Sequence, residues 1–231
     1  MHVFTFVVSE GAVTDAPAYA AALRGLGVPA TELNRLRVRL SMVSGTRRAI
    51  VEVGRGTVAL TLRPLAPAPD EITVDSSPIR DERTHPEVSG PDLGWQRYIL
   101  AALPTHEGLL IDAHSRVTQA VSAPLLTLAM DGTPRVTVSS HPATTPSIAL
   151  NGVVEILRER GAKVDENPRG FHVAELMGAE TWVVDPVYGA RLVAQWREYG
   201  TVVRGRLAFD RAGLPTHREV NETRRARAVE V

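Results

Sequence analysis

The 231-residue chain has no cysteine, and its 26 basic residues comprise 25 arginines and a single lysine, Lys163. Without cysteine there can be no disulfide, no thiol nucleophile and no Cys-ligated zinc or iron–sulfur site. One lysine leaves one side chain able to form a Schiff base. Net charge is also missing, because the 26 basic groups meet 26 acidic ones. That balance argues against a dedicated nucleic-acid binder, whose surface would be basic. No apolar run approaches the roughly 18 residues a membrane helix needs. The start, Met1-His2-Val3-Phe4-Thr5-Phe6, lacks the charged end and long apolar stretch of a secretion signal, so a cytoplasmic protein is expected. What is present is an ordinary folded composition, 44% hydrophobic and 23% charged, in a chain long enough for one large or two small cores.

Hydrophobic patterning predicts an α+β chain. Val3–Val8 reads as a strand, and Ala16–Leu26 as an Ala-rich helix stopped by Gly27 and Pro29. A second helix opens at Thr31, with Leu33, Leu36 and Leu40 at helical spacing. Residues 49–53 and 57–62 read as a hairpin around Gly54-Arg55-Gly56, followed by a last strand near Ile72–Val74. These elements make a small α+β domain over 1–80. A polar, proline-bearing linker follows at 81–91, then a large α/β domain at 92–210 and a polar tail at 211–231 that is expected to fray. In the large domain, short strands are expected at 108–112, 116–121, 124–130 and 135–138, with Asp131-Gly132 as a hairpin turn. A helix over 148–160 has Ser147 as N-cap and Gly161 as stop. Lys163–Glu166 reads as an edge strand, Val173–Met177 as a short helix, and 181–184, 190–194 and 202–209 as strands.

Standard catalytic signatures are absent. No dinucleotide fingerprint, phosphate-binding P-loop or nucleophile elbow occurs. The seven histidines include no His-x-x-x-His pair, so no metal site is expected. One local feature has chemical content. The loop Ser139–Ser147 feeds the N-terminus of the 148–160 helix, where free N–H groups attract anions, and Thr144, Thr145 and Ser147 add hydroxyls. Ordinary capping accounts for the same pattern.

The second half carries an ordered set of motifs: Gly108-Leu-Leu-Ile-Asp through Arg116-Val-Thr-Gln-Ala-Val, then Met130-Asp-Gly-Thr-Pro, Thr145-Pro-Ser-Ile-Ala-Leu, and Ala174-Glu-Leu-Met-Gly-Ala-Glu-Thr-Trp-Val-Val. Over about 85–196 this resembles the class IV aminotransferases, the fold-type-IV pyridoxal-phosphate (PLP) enzymes, which include aminodeoxychorismate lyases. The resemblance implies a two-domain D-amino acid aminotransferase-like architecture, a ligand cleft between the domains and a homodimer. It also implies departures. The family's Schiff-base lysine lies in a segment like Val-Lys-Gly-Pro-Asp-Leu, and here Val88-Ser89-Gly90-Pro91-Asp92-Leu93 puts Ser89 there. The glutamate that pairs with the pyridine nitrogen is Gln119, and the phosphate-binding threonine of the helix turn is Ala149, after Ile148. The helix around Tyr19–Leu23 offers alanines where the family's phosphate arginine would stand.

The resemblance thus implies the fold without the cofactor: PLP is not expected, because Ser89 replaces its lysine. The leading expectation is a PLP-independent lyase or cyclase on a small acidic metabolite. Ser89, His85, Gln119, Asp185 and Tyr188 are its candidate catalytic groups. Thr144, Thr145, Ser147, Ile148, Ala149 and Arg191 are its candidate binding groups, with Arg191 as a carboxylate clamp. Two alternatives stand beside it, an inactive homologue that binds a ligand or partner, and an atypical PLP enzyme using Lys163. Neither nucleic acid nor membrane is an expected partner.

Overall fold

The computed structural model describes residues 1–54, 57–130, 134–208 and 213–231. The turns expected at Arg55-Gly56 and Asp131-Gly132, and Phe209 of the expected 202–209 strand, lie outside them; the strand that forms there is shorter, Thr201–Arg204. No helix among the described residues is long and apolar enough to cross a membrane.

The first sheet is built by β1 (His2–Ser9), β2 (Ala12–Val13), β3 (Thr46–Gly54) and β4 (Thr57–Pro64), all antiparallel. Alternation in β3 sends Ala49, Val51 and Val53 inward and leaves Arg48, Ile50 and Glu52 on the opposite face. The inward face packs on α1 (Ala16–Gly25) and α2 (Ala30–Ser41) through Tyr19, Leu23, Leu36 and Leu40. The other face of the sheet remains for the cleft.

The strand near Ile72–Val74 forms as β5 (Glu71–Asp75), but it does not join this sheet. It runs parallel to β13 (Gly189–Glu198), with Ile72 opposite Val193 and Val74 opposite Trp196. Its β-rich composition could not say which sheet it would complete. A short β6 (Ile79–Arg80) pairs with β7 (Leu109–Ile111), which pairs with β8 (Val117–Ala120) in a three-stranded sheet. Helix α3 (Leu93–Ala102) lies between β6 and β7 in sequence.

The largest sheet runs β11 (Lys163–Asn167), β10 (Pro134–Ser139), β9 (Leu125–Met130), β12 (Glu180–Asp185), β13 and β14 (Thr201–Arg204), with β5 added on β13. Helix α4 (Ile148–Glu159) covers one face, burying Ala149, Val153, Ile156 and Leu157 against Leu126, Leu128 and Trp182. Ser147 caps it, its Oγ accepting the Leu150 N–H at 3.1 Å. Helix α5 (Val173–Gly178) closes a second core with Phe171, Leu176 and Trp196.

From Gly213 on, the C-terminal segment expected to fray is ordered instead. Its helix α6 (His217–Ala226) carries a Thr216–Glu219 capping box and buries His217, Val220, Asn221 and Arg224. Asn221 exchanges two 2.8 Å bonds with the main chain of Ala190, and Arg224 pairs with Asp15 at 2.5 Å. β15 (Val229–Glu230) then adds to β2. The buried stripe is largely polar, so hydropathy did not reveal it. The side chain of His217 is buried against Trp182, and burial pushes its pKa down, helped by neighbouring Arg218.

Candidate active site

A cleft of about 600 Å³ opens between the outer face of the first sheet and the edge of the larger one. Its first wall is the free face of the small sheet: Val3 and Thr5 of β1, Arg48, Ile50 and Glu52 of β3, Thr61 and Arg63 of β4. The opposite wall is formed by Ser122 and Pro124, the Thr145–Ile148 loop at the head of α4, and the Asp185–Val187 turn after β12. Linker residues Val88–Gly90 and the first turns of α3 complete it.

Ser89 lines this cleft. Two features hold its segment. The Ser89 carbonyl accepts the Val3 N–H at 2.7 Å, tying the linker to β1. Gly90 has φ +144°, and a Cβ there would lie 2.7 Å from the Met1 carbonyl oxygen, so only glycine fits. Asp92 fastens the other side, its carboxylate accepting from Thr84 N–H at 3.0 Å, Thr84 Oγ1 at 2.9 Å and His85 N–H at 2.8 Å. Burial opposes ionisation of Asp92, but these donors, with Arg83 nearby, hold its carboxyl below the usual range.

Of the other sequence candidates, Thr145, Ser147, Ile148 and Asp185 also reach the cleft. Asp185 Oδ1 accepts the N–H groups of Val187 at 2.6 Å and Tyr188 at 2.9 Å, which shapes the turn. Gln119, Thr144 and Ala149 stand behind the wall. Gln119 is fully buried; its Oε1 accepts the Thr145 N–H at 2.8 Å, while its Nε2 is buried without a partner. Thr144 bonds the Thr118 carbonyl at 2.9 Å, and Ala149 is core.

His85, Tyr188 and Arg191 do not line the cleft. His85 is more than half exposed, with Nδ1 3.4 Å from Glu87. Tyr188 donates its hydroxyl to the Ala66 carbonyl at 2.9 Å, and Arg191 Nε donates to the Pro69 carbonyl at 3.2 Å. The Arg191 guanidinium sits 5.9 Å from the Tyr188 ring centroid. The pair therefore grips the proline-rich segment before β5, and Arg191 is buried there, away from any clamp in the cleft.

Three further groups of the site are brought together only by the fold. Arg83 is buried and forks onto Asp81, with Nε to Oδ1 at 2.9 Å and Nη2 to Oδ2 at 2.6 Å. It also donates to Thr145 Oγ1 at 2.7 Å and the Ala143 carbonyl at 2.6 Å, stapling the linker to the α4 loop. Glu107, between α3 and β7, is 2% exposed and bonds the Ser122 hydroxyl; it also accepts the Ser122 N–H at 3.2 Å. Burial pushes the Glu107 carboxyl up to about 7, against the lowering pull of these Ser122 bonds. Arg48 and Arg63 form the third group, on the small-sheet wall. Strand alternation could place Arg48 outward, but nothing in the sequence says which outward face borders a cleft.

Lys163 is on β11, the edge strand of the large sheet. Its side chain is 64% exposed and its Nζ lies 3.5 Å from Asp165; it takes no part in the cleft lining. No group of His, Asp or Glu able to hold a metal ion is found among the described residues.

No family model and no curated protein matches the sequence. Solved structures do match the fold. A hypothetical aminotransferase from Mycobacterium tuberculosis, in its apo form, superposes with a TM-score of 0.70 at 16% identity, covering 97% of this chain and 87% of that one. The 4-amino-4-deoxychorismate lyase from Pseudomonas aeruginosa gives 0.68 at 18% identity, covering 98% and 90%. Branched-chain amino acid aminotransferase from Escherichia coli gives 0.66 at 12%, covering 98% and 85%. The chain accordingly has the fold-type-IV architecture that class IV aminotransferases and aminodeoxychorismate lyase share.

Proposed function

We propose that this protein is a PLP-independent lyase or cyclase acting on a small acidic metabolite held in the cleft. One observation carries the reading. Ser89 faces the cleft where the resemblance puts the Schiff-base lysine, while the chain's sole lysine sits exposed on the far edge of the large sheet. A serine hydroxyl forms no imine, so the residues present do not fit covalent PLP. Gln119 agrees with this: its carbonyl oxygen is engaged by Thr145, and an amide does not carry the charge that stabilises a pyridinium.

The remaining groups suit acid–base chemistry. Glu107, with its carboxyl near neutrality, takes or returns a proton efficiently at physiological pH and reaches the cleft through the Ser122 hydroxyl. Asp185 stands in the same cleft as a second carboxylate, and Ser89 offers a hydroxyl to the substrate. In an elimination, the Glu107–Ser122 pair removes a proton from the carbon next to the substrate acid group. The C–H electrons become the new double bond, and the leaving group departs with its own pair and takes a proton from a solvent water that the Asp185 carboxylate orients as an acceptor. Gln119 and Thr144 act as positioning residues behind the Thr145–Ile148 wall, while His85, Tyr188 and Arg191 have no part in the step. A homodimer is part of the proposal on the resemblance alone.

The second reading, a binding protein without turnover, is favoured by one fact: Thr145 is engaged from both sides, by Arg83 and by Gln119, which leaves little of that wall free. Spectroscopy and turnover separate the readings. Purified protein incubated with PLP is expected to show no imine absorbance and no borohydride-fixed adduct. An imine band abolished by Lys163→Ala would overturn the proposal in favour of an atypical PLP enzyme. Consumption of a metabolite from a panel of small acids, lost in Asp185→Asn and Ser122→Ala, would establish the enzyme. Ligand binding with no consumption would establish the binding protein.

A further inference from the structure

On the small-sheet wall, Arg48 of β3 stands directly opposite Arg63 of β4 in the antiparallel register. Directly opposed residues on one face have Cβ atoms about 5 Å apart, and like charges there repel. Both arginines line the cleft. Neither has an ion-pair partner among the described residues, and Arg48 Nε is buried without any hydrogen-bond partner. The nearest acid on the same face of β3 is Glu52, four residues on and hence about 13 Å along the strand. Across β1 the neighbour of Arg48 is Val7, which adds no compensating charge. From α3, Arg97 brings a third positive charge to the same cleft. Arg83, by contrast, is already neutralised by Asp81.

A pair of opposed guanidinium groups with a desolvated, unsatisfied donor is costly on its own and is relieved by a bridging oxyanion, which takes several N–H donors at once. We propose that Arg48 and Arg63 form the docking subsite for a compact doubly charged oxyanion, a phosphomonoester or a dicarboxylate end of the ligand. The inference rests on the acidic-metabolite reading and names its anchor. In the cleft the anion would lie across from Ser89, Asp185 and Ser122, so the pair holds the ligand and those groups act on it.

The test is binding and requires no turnover. Thermal unfolding of the full chain is followed with inorganic phosphate, with malonate and with acetate, each against sodium chloride of equal ionic strength. Phosphate or malonate is expected to raise the midpoint in a saturable way, acetate to do so at least tenfold more weakly; whichever dianion binds more tightly identifies the source. Arg48→Gln and Arg63→Gln should each weaken the response at least tenfold, while Arg225→Gln, an exposed arginine of α6, leaves it unchanged. With no anion present, both substitutions should leave the midpoint equal or higher, since a repulsion is removed; this readout also shows that the variants fold. Equal responses in wild type and both variants, or none in wild type, would overturn the subsite. That failure would leave the acid–base reading standing, because its groups lie on the other wall; loss of turnover with anion binding intact would do the reverse.

Discussion

The two walls of the cleft are built on opposite principles. On the large-sheet side the charged groups have partners, and Gln119 Nε2 is the one orphan donor behind that wall among the described residues. Arg83 joins Asp81, Ala143 and Thr145; Thr145 also bonds the Pro86 carbonyl at 2.8 Å and Gln119; Glu107 holds Ser122; Asp185 holds its own turn. On the small-sheet side, Arg48 and Arg63 face each other without ion-pair partners among the described residues. Saturated networks position loops rigidly, because each donor removed leaves a desolvated acceptor. An unsaturated pair contributes no such rigidity and is poised to bind. On the proposed reading, architecture and ligand capture are divided between the walls.

The largest effect is expected at Arg83. Arg83→Ala leaves Asp81 buried with an unpaired charge, since both side chains are under a tenth exposed. A loss of about 3–5 kcal/mol in unfolding free energy is expected, measured by chemical denaturation. The 139–147 loop should loosen with it, seen as faster amide exchange there. A loss below about 1 kcal/mol would show that the fork does not organise this wall.

Glu107 gives the next effect, and its sign is fixed by linkage. The folded carboxyl is raised to about 7 from its ordinary 4.5, so between those values the folded state keeps a proton that the unfolded state has released. Stability should therefore be greatest below about pH 4.5, as far as this group is concerned, and fall as pH rises to about 7, by about 3 kcal/mol. Glu107→Gln keeps an acceptor for the Ser122 N–H and offers a donor to its hydroxyl. The variant should lose this pH dependence and exceed wild type in stability at pH 8, as denaturation midpoints across pH would show. Parallel profiles would place the proton elsewhere.

The smallest effect is expected at Ser147. Removing its cap bond to Leu150 in Ser147→Ala should cost about 1 kcal/mol without altering anion binding at the Arg48–Arg63 pair. A tenfold loss of phosphate or malonate binding in this variant would move the anion site to the head of α4.

Much of the fold was legible because local rules and tertiary packing agreed. Strands β1, β3 and β4 of the first sheet, the 148–160 helix with its Ser147 cap, and the edge strand carrying Lys163 obey period-2 or period-3.6 patterning and are found within three residues. Two elements were misread for one reason, namely that pairing partners are not local. β5 has strand composition but completes the sheet of β13, and α6 buries Asn221 and Arg224, whose polarity pointed to solvent. The cleft shows the same limit. Ser89 and Asp185 were placed in it from motif order and do line it, whereas His85, Tyr188 and Arg191 were equally plausible in sequence and do not. Glu107 carries no pattern at all; only the fold brings it against Ser122, fifteen residues away.

By itself the sequence determined which side chains are available and the order of most elements. An absent cysteine, a single lysine and Ser89 in the Val88–Leu93 segment are facts of composition and position, independent of packing. Tertiary structure alone decided which groups meet. It removed Lys163 to an outer edge, buried Glu107 until its proton affinity rose, and set Arg48 against Arg63 across a strand pair. Burial and charge proximity act through space, over distances that separation along the chain does not encode.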